Sequence, residues 1–512
     1  MLLRIALATL MLVGATAVSD TAPQSPSSQK PNIIIFLVDD LGWQDTQVSL
    51  TEQATPLNIR YHTPNEMKLA ADGIKFTDFY AAAPVCSPTR VTLITGQSPA
   101  KTHVTNWTQK EGQDTSEPFP ILLPPDWNVN GVSPMAMDHA FSGPVLPSIL
   151  RDAGYRTIHV GKAHWGAVGT KGADPMNLGF DVNIGGSGAG QPGSYLSEKH
   201  YSSGPGDGQF RDVPGLEKYW NTGTFLTEAL TLEANRALDE SVAMKTPFFL
   251  HFAHFAVHTP LEEDARFMKK YLDAGLPPVE ARYASLIEGV DKSIGDVLAN
   301  VERHGLTNNT LVLFMSDNGG LAAHTRAEPL HTANAPLRSG KGSAYEGGIR
   351  VPLIMRWPGK IKPTTITHTP AITDDIFPTL LDVAGVTNAA FLTRDVLGRN
   401  LRPLVTDKGK LPDDRPLLWH YPHFWGVKGP GIEPFSALRV GKYKLLFFYA
   451  DRRYELYDLT QDIGETTDIS KTNTGETAKL AKMMRAALEK AGAQMPLDPT
   501  TKLPVALPPL VK

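Results

Sequence analysis

Asn32-Ile33-Ile34-Ile35-Phe36-Leu37-Val38, followed at once by Asp39-Asp40, is the stretch on which the fold turns. A run of strand length with no polar alternation, bounded by Pro31 and two carboxylates, reads as a strand buried on both faces, the kind found in parallel sheets. Three later segments repeat the pattern: Tyr155 to Val160, Phe248 to Ala253 and Leu311 to Met315. Polar residues come directly after each of them: Lys162 and His164 after the first, His254 and His258 after the second, Asp317-Asn318 after the third. In open α/β sheets, ligands bind outside the carboxyl ends of the strands. If the four strands share one sheet and one direction, these distant residues converge.

The rest of the chain supports an α/β architecture. Glu66 to Gly73 reads as helical and Ile74 to Tyr80 as strand-like. Leu226, Leu230, Ala234 and Leu238 lie one turn apart on a helix. Ala281 to Arg303 carries an apolar stripe (Tyr283, Leu286, Ile287, Val290, Ile294, Val297, Leu298 and Val301) that Gly305 ends. After about Arg402 the texture changes to short strand candidates at Leu417–Trp419, Ala437–Val440, Lys444–Tyr449 and Tyr454–Asp458, then a helix over Ala478–Ala491. The expected fold is a large mixed, mostly parallel sheet sandwiched by helices, over residues 31–405. A smaller antiparallel sheet plus helix comes next over 406–494, with an irregular tail at 495–512. Lys101 to Ser142 and the glycine-rich Gly166 to Tyr219 are irregular and suited to functional rims.

Composition narrows the function. A formal charge of −4 over 512 residues implies no surface for nucleic acid. Met1 to about Ala17 reads as a secretory leader, with Arg4, an apolar core at Ile5 to Val13 and a small-residue cleavage site at Ala15-Thr16-Ala17. The apolar run is too short for a membrane anchor. The expectation is a periplasmic or secreted protein whose residues 18–30 form a linker.

Val85-Cys86-Ser87-Pro88-Thr89-Arg90 holds the one cysteine of the chain. A lone cysteine is a buried thiol, an intermolecular link or a reactive group. Ser87 suits an N-cap and Pro88 a first helical position, so Pro88 to Thr95 reads as a helix stopped by Gly96. Cys86 then sits at the positive end of that helix, with Arg90 about one turn on.

Cys86-x-Pro88-x-Arg90 with Thr95-Gly96 resembles the signature of the type I sulfatases, members of the alkaline-phosphatase-like superfamily. Gly161-Lys162-x-His164-x-Gly166 resembles the second signature, and His258 before Thr259-Pro260 matches a family histidine. Ser316-Asp317-Asn318-Gly319 resembles the second metal-binding element. Leu337 to Pro352, containing Lys341, is the longest close match. The resemblance implies that a maturation enzyme oxidises Cys86 to formylglycine, whose hydrate attacks sulfur. Asp39, Asp40, Asp317 and Asn318, with residue 86, would hold a divalent metal. Hard oxygen ligands with several carboxylates point to calcium rather than magnesium. Arg90, Lys162, Lys341, His164 and His258 are donors suited to an anionic tetrahedral group.

Carried over from the family, Arg90 orients the nucleophile and Asp317 is its base. Lys162 and Lys341 stabilise the sulfuryl oxygens, and His258 with Lys341 protonates the leaving alcohol. His164 helps the remaining hydroxyl lose its proton. His251 and His254 read as structural. The family members most similar in character act on sulfated polysaccharides, which implies a sulfated saccharide substrate. Two alternatives stand: a phosphoester or phosphonate hydrolase of the same superfamily, or a non-catalytic binder of sulfated glycans. The cluster Trp419 to Trp425 is either a sugar-facing rim or packing between subdomains.

Overall fold

The computed structural model describes residues 30–511 apart from 207, 322–333, 395 and 413. The leader at 1–17 and all but the last residue of the linker lie outside the described residues. Asn32–Val38 forms β1, buried at every position. The other strands in chain order are β2 (Ile74–Phe76), β3 (Phe79–Tyr80), β4 (Arg156–Gly161), β5 (Val182–Ile184), β6 (Phe248–Ala253) and β7 (Thr310–Ser316). After them come β8 (Leu353–Arg356), β9 (Thr365–Thr367), β10 (Ala371–Ile372), β11 (Leu417–Tyr421), β12 (Phe435–Val440), β13 (Tyr443–Phe448) and β14 (Arg453–Asp458).

Eight strands make the large sheet, in the order β5-β4-β6-β1-β7-β8-β2-β9. β5, β4, β6, β1 and β7 run parallel. β8 opposes both its neighbours, and β9 runs with β2. Leu37 lies beside Ala253 and Met315, and Ala253 lies beside Gly161. The register therefore brings β4, β6, β1 and β7 to an end at one level, so the residues just past these strands meet on one edge of the sheet.

Side chains alternate across a strand, so β1 feeds two cores. Ile34, Phe36 and Val38 pack with Leu230 and Leu238 of the Leu226–Ala243 helix and with Ile287, Val290 and Ile294 of the Pro278–Arg303 helix. Ile33, Ile35 and Leu37 face Val91 and Ile94 of the Cys86–Thr95 helix and Phe377 and Leu380 of the Ile376–Val383 helix. The long helix begins at Pro278 rather than Ala281, because proline is tolerated in a first turn. Ile74 to Tyr80 is not one strand. Thr77 and Asp78 break it, and Asp78 turns to Arg350 at 3.0 Å and Arg439 at 2.8 Å.

β11-β12-β13-β14 form the small antiparallel sheet. One face (Trp419, Ala437, Leu446 and Phe448) packs on Tyr80, Val85, Ala344 and Ile349 of the main body. The other face (Leu418, Leu438, Leu445 and Phe447) is covered by Leu480, Met484 and Leu488 of the Thr474–Ala491 helix. Residues 495–511 form no helix or strand, yet Leu497 bridges to Leu123 and Val505 packs on that second face. The expected α/β fold, with helices on both faces of the large sheet and a small sheet plus helix at the C-terminus, is the one observed.

A buried charge network ties the small sheet to the main body. Lys444 of β13 donates to Glu346 and to Glu465, both at 2.9 Å, and all three side chains are fully buried. Glu346 also accepts from Arg350 at 3.0 Å and from Tyr80 Oη at 2.7 Å. Removing one partner of a buried ion pair leaves an uncompensated charge, at a cost of about 3–5 kcal/mol. Lys444→Met is therefore expected to lower unfolding stability by about that amount, read as a shifted midpoint in urea. An unchanged midpoint would mean that the network does not hold the small sheet to the main body.

Candidate active site

The helix carrying Cys86 begins at Cys86 itself rather than at Pro88. Val85, extended at φ −140° and ψ 162°, is the N-cap, and Cys86 is the first helical residue. Ser87 does not cap. Its hydroxyl accepts from Thr108 N at 3.0 Å and lies 3.1 Å from His164 Nε2, so tertiary partners outcompete the local role. Gly96 ends the helix at φ +67°, and a Cβ there would lie 2.7 Å from the Phe377 ring. Both the left-handed backbone and the close ring exclude other residues. Cys86 sits at the N-terminus, where the helix favours negative charge.

Around it the strand ends deliver their polar residues. Asp39 and Asp40 follow β1, Lys162 and His164 follow β4, His258 follows β6, and Asp317 and Asn318 follow β7. Asp40 and His164 adopt the left-handed backbone region, at φ 60° and 56°. That conformation is strained for a side-chain-bearing residue and is found preferentially at functional turns. Lys341 arrives from the segment between β7 and β8. Its N–H donates to Gly320 O at 3.1 Å, and Gly342 N donates to Pro84 O at 2.8 Å, so its backbone is fixed to both neighbouring elements.

Each carboxylate has its own cation. Lys162 Nζ lies 2.6 Å from Asp39, Arg90 Nε lies 2.8 Å from Asp317, and Lys341 Nζ lies 2.7 Å from Asp40. Arg90 also donates to the Lys162 carbonyl at 2.8 Å, and Trp165 Nε1 donates to the Arg90 carbonyl at 3.1 Å. Cys86 Sγ lies 3.7 Å from Asp39 Oδ1 and 3.3 Å from Lys341 Nζ. Burial, helped by Asp317 and Asp40, raises the Asp39 carboxyl to about 7 against the pull of Lys162. Burial opposes ionisation of Asp40 too, yet Lys341 and His258 hold it well below the usual carboxylate range. Burial pushes the Cys86 thiol up to about 11 despite Lys162 and Lys341. Such a thiol stays protonated near neutrality and is a poor nucleophile.

The donors fit a hard divalent cation. Oxygen atoms of Asp39 and Asp317 and the Cys86 sulfur lie within 4.8 Å of one another, as do ligand atoms of Asp40, Cys86 and His258. Asn318 Nδ2 donates to Asp40 at 2.8 Å, while its buried Oδ1 has no hydrogen-bond partner. An orphaned carbonyl beside three carboxylates is the donor set that calcium or magnesium takes. The oxygen-dominated set suits zinc less well.

The histidines separate by role. His258 Nδ1 lies 3.0 Å from Thr259 O and its Nε2 lies 3.6 Å from Asp40, so an acceptor flanks each nitrogen. Burial nonetheless depresses it to about 3, with Lys341 adding to the effect and Asp40 opposing it. His164 Nε2 lies 2.8 Å from Thr108 O, and burial with Lys162 keeps it well below its ordinary value. His251 pairs with His159 at 3.1 Å and His254 with Ser293 at 3.0 Å; both are buried, and neither lines the cavity over Cys86.

A cavity of about 220 Å³ opens over Cys86, His164, His258 and Lys341. Its outer wall is Trp107, Gln109, Gln191, Phe210, Arg211 and Trp425. The sequence marked the irregular stretches holding most of them as rims but singled out none of these residues except Trp425. They follow no periodicity, and only their place on irregular loops could have flagged them. The aromatic cluster divides. Trp419 Nε1 donates to Ala81 O, Tyr421 Oη donates to Asn106, and His423 lies between Thr105 and Ser116, so these pack the interior. Trp425 alone of the cluster lines the cavity. A larger cavity of about 350 Å³, near Ser98, Arg415 and Lys490, includes none of the residues around Cys86.

Residues 31–386 match the sulfatase family model, and residues 340–494 match a model described as N-sulphoglucosamine sulphohydrolase, C-terminal. A sulfatase from Formosa agariphila is 28% identical over 521 residues, which cover 91% of this chain and 90% of that one. N-acetylgalactosamine-6-sulfatase from Mus musculus is 30% identical, over 87% of this chain and 77% of its own. The crystal structure of Ps i-CgsB in complex with k-i-k-neocarrahexaose is similar at a TM-score of 0.72 and 25% identity, over 90% of this chain and 94% of that one. With one model matching well over half of its length, and strand ends that gather a cysteine, carboxylates and cations at one edge, the chain belongs to the sulfatase family and is a sulfuric ester hydrolase of alkaline-phosphatase-like fold.

Proposed function

We propose that this sulfatase removes sulfate from a sulfated carbohydrate, using a formylglycine made from Cys86 and a divalent ion, calcium rather than magnesium. The observation that carries this reading is the setting of Cys86. The one cysteine of the chain stands at a helix N-terminus among Asp39, Asp317 and Lys341, yet burial leaves it a protonated thiol. Oxidised to the hydrated aldehyde by a formylglycine-generating enzyme, residue 86 would supply a hydroxyl able to attack sulfur and a second one through which sulfate is released. Asp39, Asp40, Asp317 and Asn318 would hold the metal, which supplies Lewis-acid polarisation of the oxygens it touches.

The chain's own residues do the rest. Arg90, locked by Asp317 and the Lys162 carbonyl, presents fixed positive charge beneath residue 86. Asp317 is the base for the attacking hydroxyl. Lys162 and Lys341 face the equatorial oxygens of the sulfuryl group, where preorganised charge contributes most to rate. His258 donates a proton to the alcohol oxygen as the sulfur–oxygen ester bond breaks, with Lys341 beside it. An arriving anionic ester opposes the depression of the His258 pKa, and Asp40 already favours its protonated form. His164, held by Ser87 and Thr108, takes the proton of the remaining hydroxyl. Lys162 and Lys341 supply, beside Asp39 and Asp40, the positive charge that a second metal ion would otherwise provide, which supports sulfate over two-metal phosphate hydrolysis.

The mouse relative, an N-acetylgalactosamine-6-sulfatase, and the carrahexaose complex support a saccharide substrate. We read the protein as exported to the periplasm or medium after removal of 1–17, with a catalytic unit over 31–405 and a C-terminal unit over 406–494. Among the described residues no helix is long and apolar enough to cross a membrane.

Mass spectrometry of the peptide spanning residue 86, from protein made with a formylglycine-generating enzyme, should show the aldehyde in place of the thiol. Cys86→Ala should fold with native thermal stability and turn over no sulfate ester; retained turnover would refute the nucleophile. Lys162→Ala and Lys341→Ala should each lower kcat by about a hundredfold or more, and near-normal kinetics would remove that lysine from the catalytic set. Chelation should lower both the melting temperature and the rate, with calcium restoring both more completely than magnesium. A melting curve indifferent to chelation would rule out the metal.

A further inference from the structure

The cavity over residue 86 contains a cation that the reacting ester does not need. Lys162 and Arg90, buried below the cavity, and Lys341, which lines it, are each paired with a carboxylate. Arg211 lines the same cavity but makes no ion pair among the described residues, and no carboxylate is among the described lining residues. Its guanidinium lies 5.1 Å from the Phe210 ring centroid, and Lys110 Nζ lies 5.1 Å from the same ring. Lys110 also lacks an ion pair among the described residues. Neither cation has a carboxylate partner among the described residues, so an anion reaching this ring would meet positive charge not already neutralised by an ion pair.

Arg211 is also held in place. Its carbonyl accepts from Gly193 N at 2.9 Å. The two residues after Gly193, Ser194 through Oγ and Tyr195 through N, donate to Glu262 at 2.7 and 2.6 Å, and Tyr195 Oη donates to His258 O at 2.9 Å. The backbone that carries Arg211 is thus braced on the same segment as His258. Gln109 and Gln191, also lining the cavity, leave their side-chain amides without a protein hydrogen bond among the described residues, as groups awaiting a ligand do. At about 220 Å³ the cavity falls below the ~300 Å³ at which drug-sized ligand pockets begin. It suits one sugar ring and its substituents, with Arg211 at the wall and the reacting sulfate at the floor.

We propose that Arg211, which shares the Phe210 ring with Lys110, binds a second anionic group of the substrate, so that the preferred substrate is a saccharide carrying at least two negative charges. The second group is a sulfate or a carboxylate on the ring in the cavity or on the next ring. This rests on the sulfated-carbohydrate reading and narrows it to a specificity-determining residue.

The test measures binding as well as turnover. Protein bearing Cys86→Ala, with and without Arg211→Ala, is titrated by calorimetry with a monosulfated sugar, a disulfated sugar and a monosulfated sugar joined to a uronic acid. The same panel is then assayed for kcat/KM with the active protein and with Arg211→Ala and Arg211→Lys. A charge-assisted contact of this kind is worth about ten- to a hundredfold. The ratio of doubly to singly anionic substrate, in affinity and in kcat/KM, should fall by that factor in Arg211→Ala, mainly through KM, and recover in part in Arg211→Lys. Preference for the disulfated sugar identifies the second group as sulfate, and preference for the uronate identifies it as carboxylate. Equal ratios in wild type and Arg211→Ala, with turnover intact, would overturn the proposal while leaving the sulfatase reading standing. Absence of turnover on every sulfated sugar would instead sink the reading on which it rests.

Discussion

Asp39, Asp40 and Asp317 are held out of water at the ends of adjacent strands, and each meets a cation brought by a different part of the chain. Lys162 comes from the end of β4, Arg90 from the helix that starts at Cys86, and Lys341 from the segment between β7 and β8. Ionised carboxylates without such partners would shift to their neutral forms or unfold the site. The site is consequently not an ornament on a finished scaffold. Its charges balance only when sheet, helix and loop are all in place.

That arrangement also explains how a pocket built from three anions can receive another. An ammonium has three donors. Lys162 spends one on Asp39, and Lys341 divides its own between Asp40 and Cys86. Donor capacity therefore remains for sulfuryl oxygens at the level of residue 86. The outer wall is different in kind: aromatic faces, uncharged amides and Arg211 replace the tightly paired groups of the floor.

The large-scale plan was legible because it rests on continuous signals. Unbroken apolar runs such as Ile33 to Val38 have few uses other than a doubly covered strand, and a polar residue straight after each run has to sit at the sheet's edge. The families of residues that converge there could be named before the fold was seen. Local details decided by distant partners could not. Ser87 is a good N-cap by propensity, but Thr108 and His164 claim its hydroxyl. Trp419, Tyr421 and Trp425 lie close in sequence as though they shared a role, yet the pleat sends the first two inward and the loop leaves the last at the cavity. Glu346 and Lys444, 98 positions apart, meet in the interior, and no local pattern announces such a pairing. The cavity wall near Gln191 and Arg211 was hidden for the same reason, since irregular chain has no period to read.

The bridge from Lys444 to Glu346 bears on how such chains can diversify. Glu346 begins the short helix that comes a few residues after Lys341, and Glu465 accepts from Lys444 while also capping the Glu346 N–H at 2.6 Å. The last fifth or so of the molecule therefore cannot be exchanged between relatives like a cassette. A chimaera joined ahead of β11 would inherit a lysine and an acid shaped for another parent's loop, and the misfit would surface as a displaced ammonium beside residue 86. Lineages that remodel this lobe must alter both sides of the seam together.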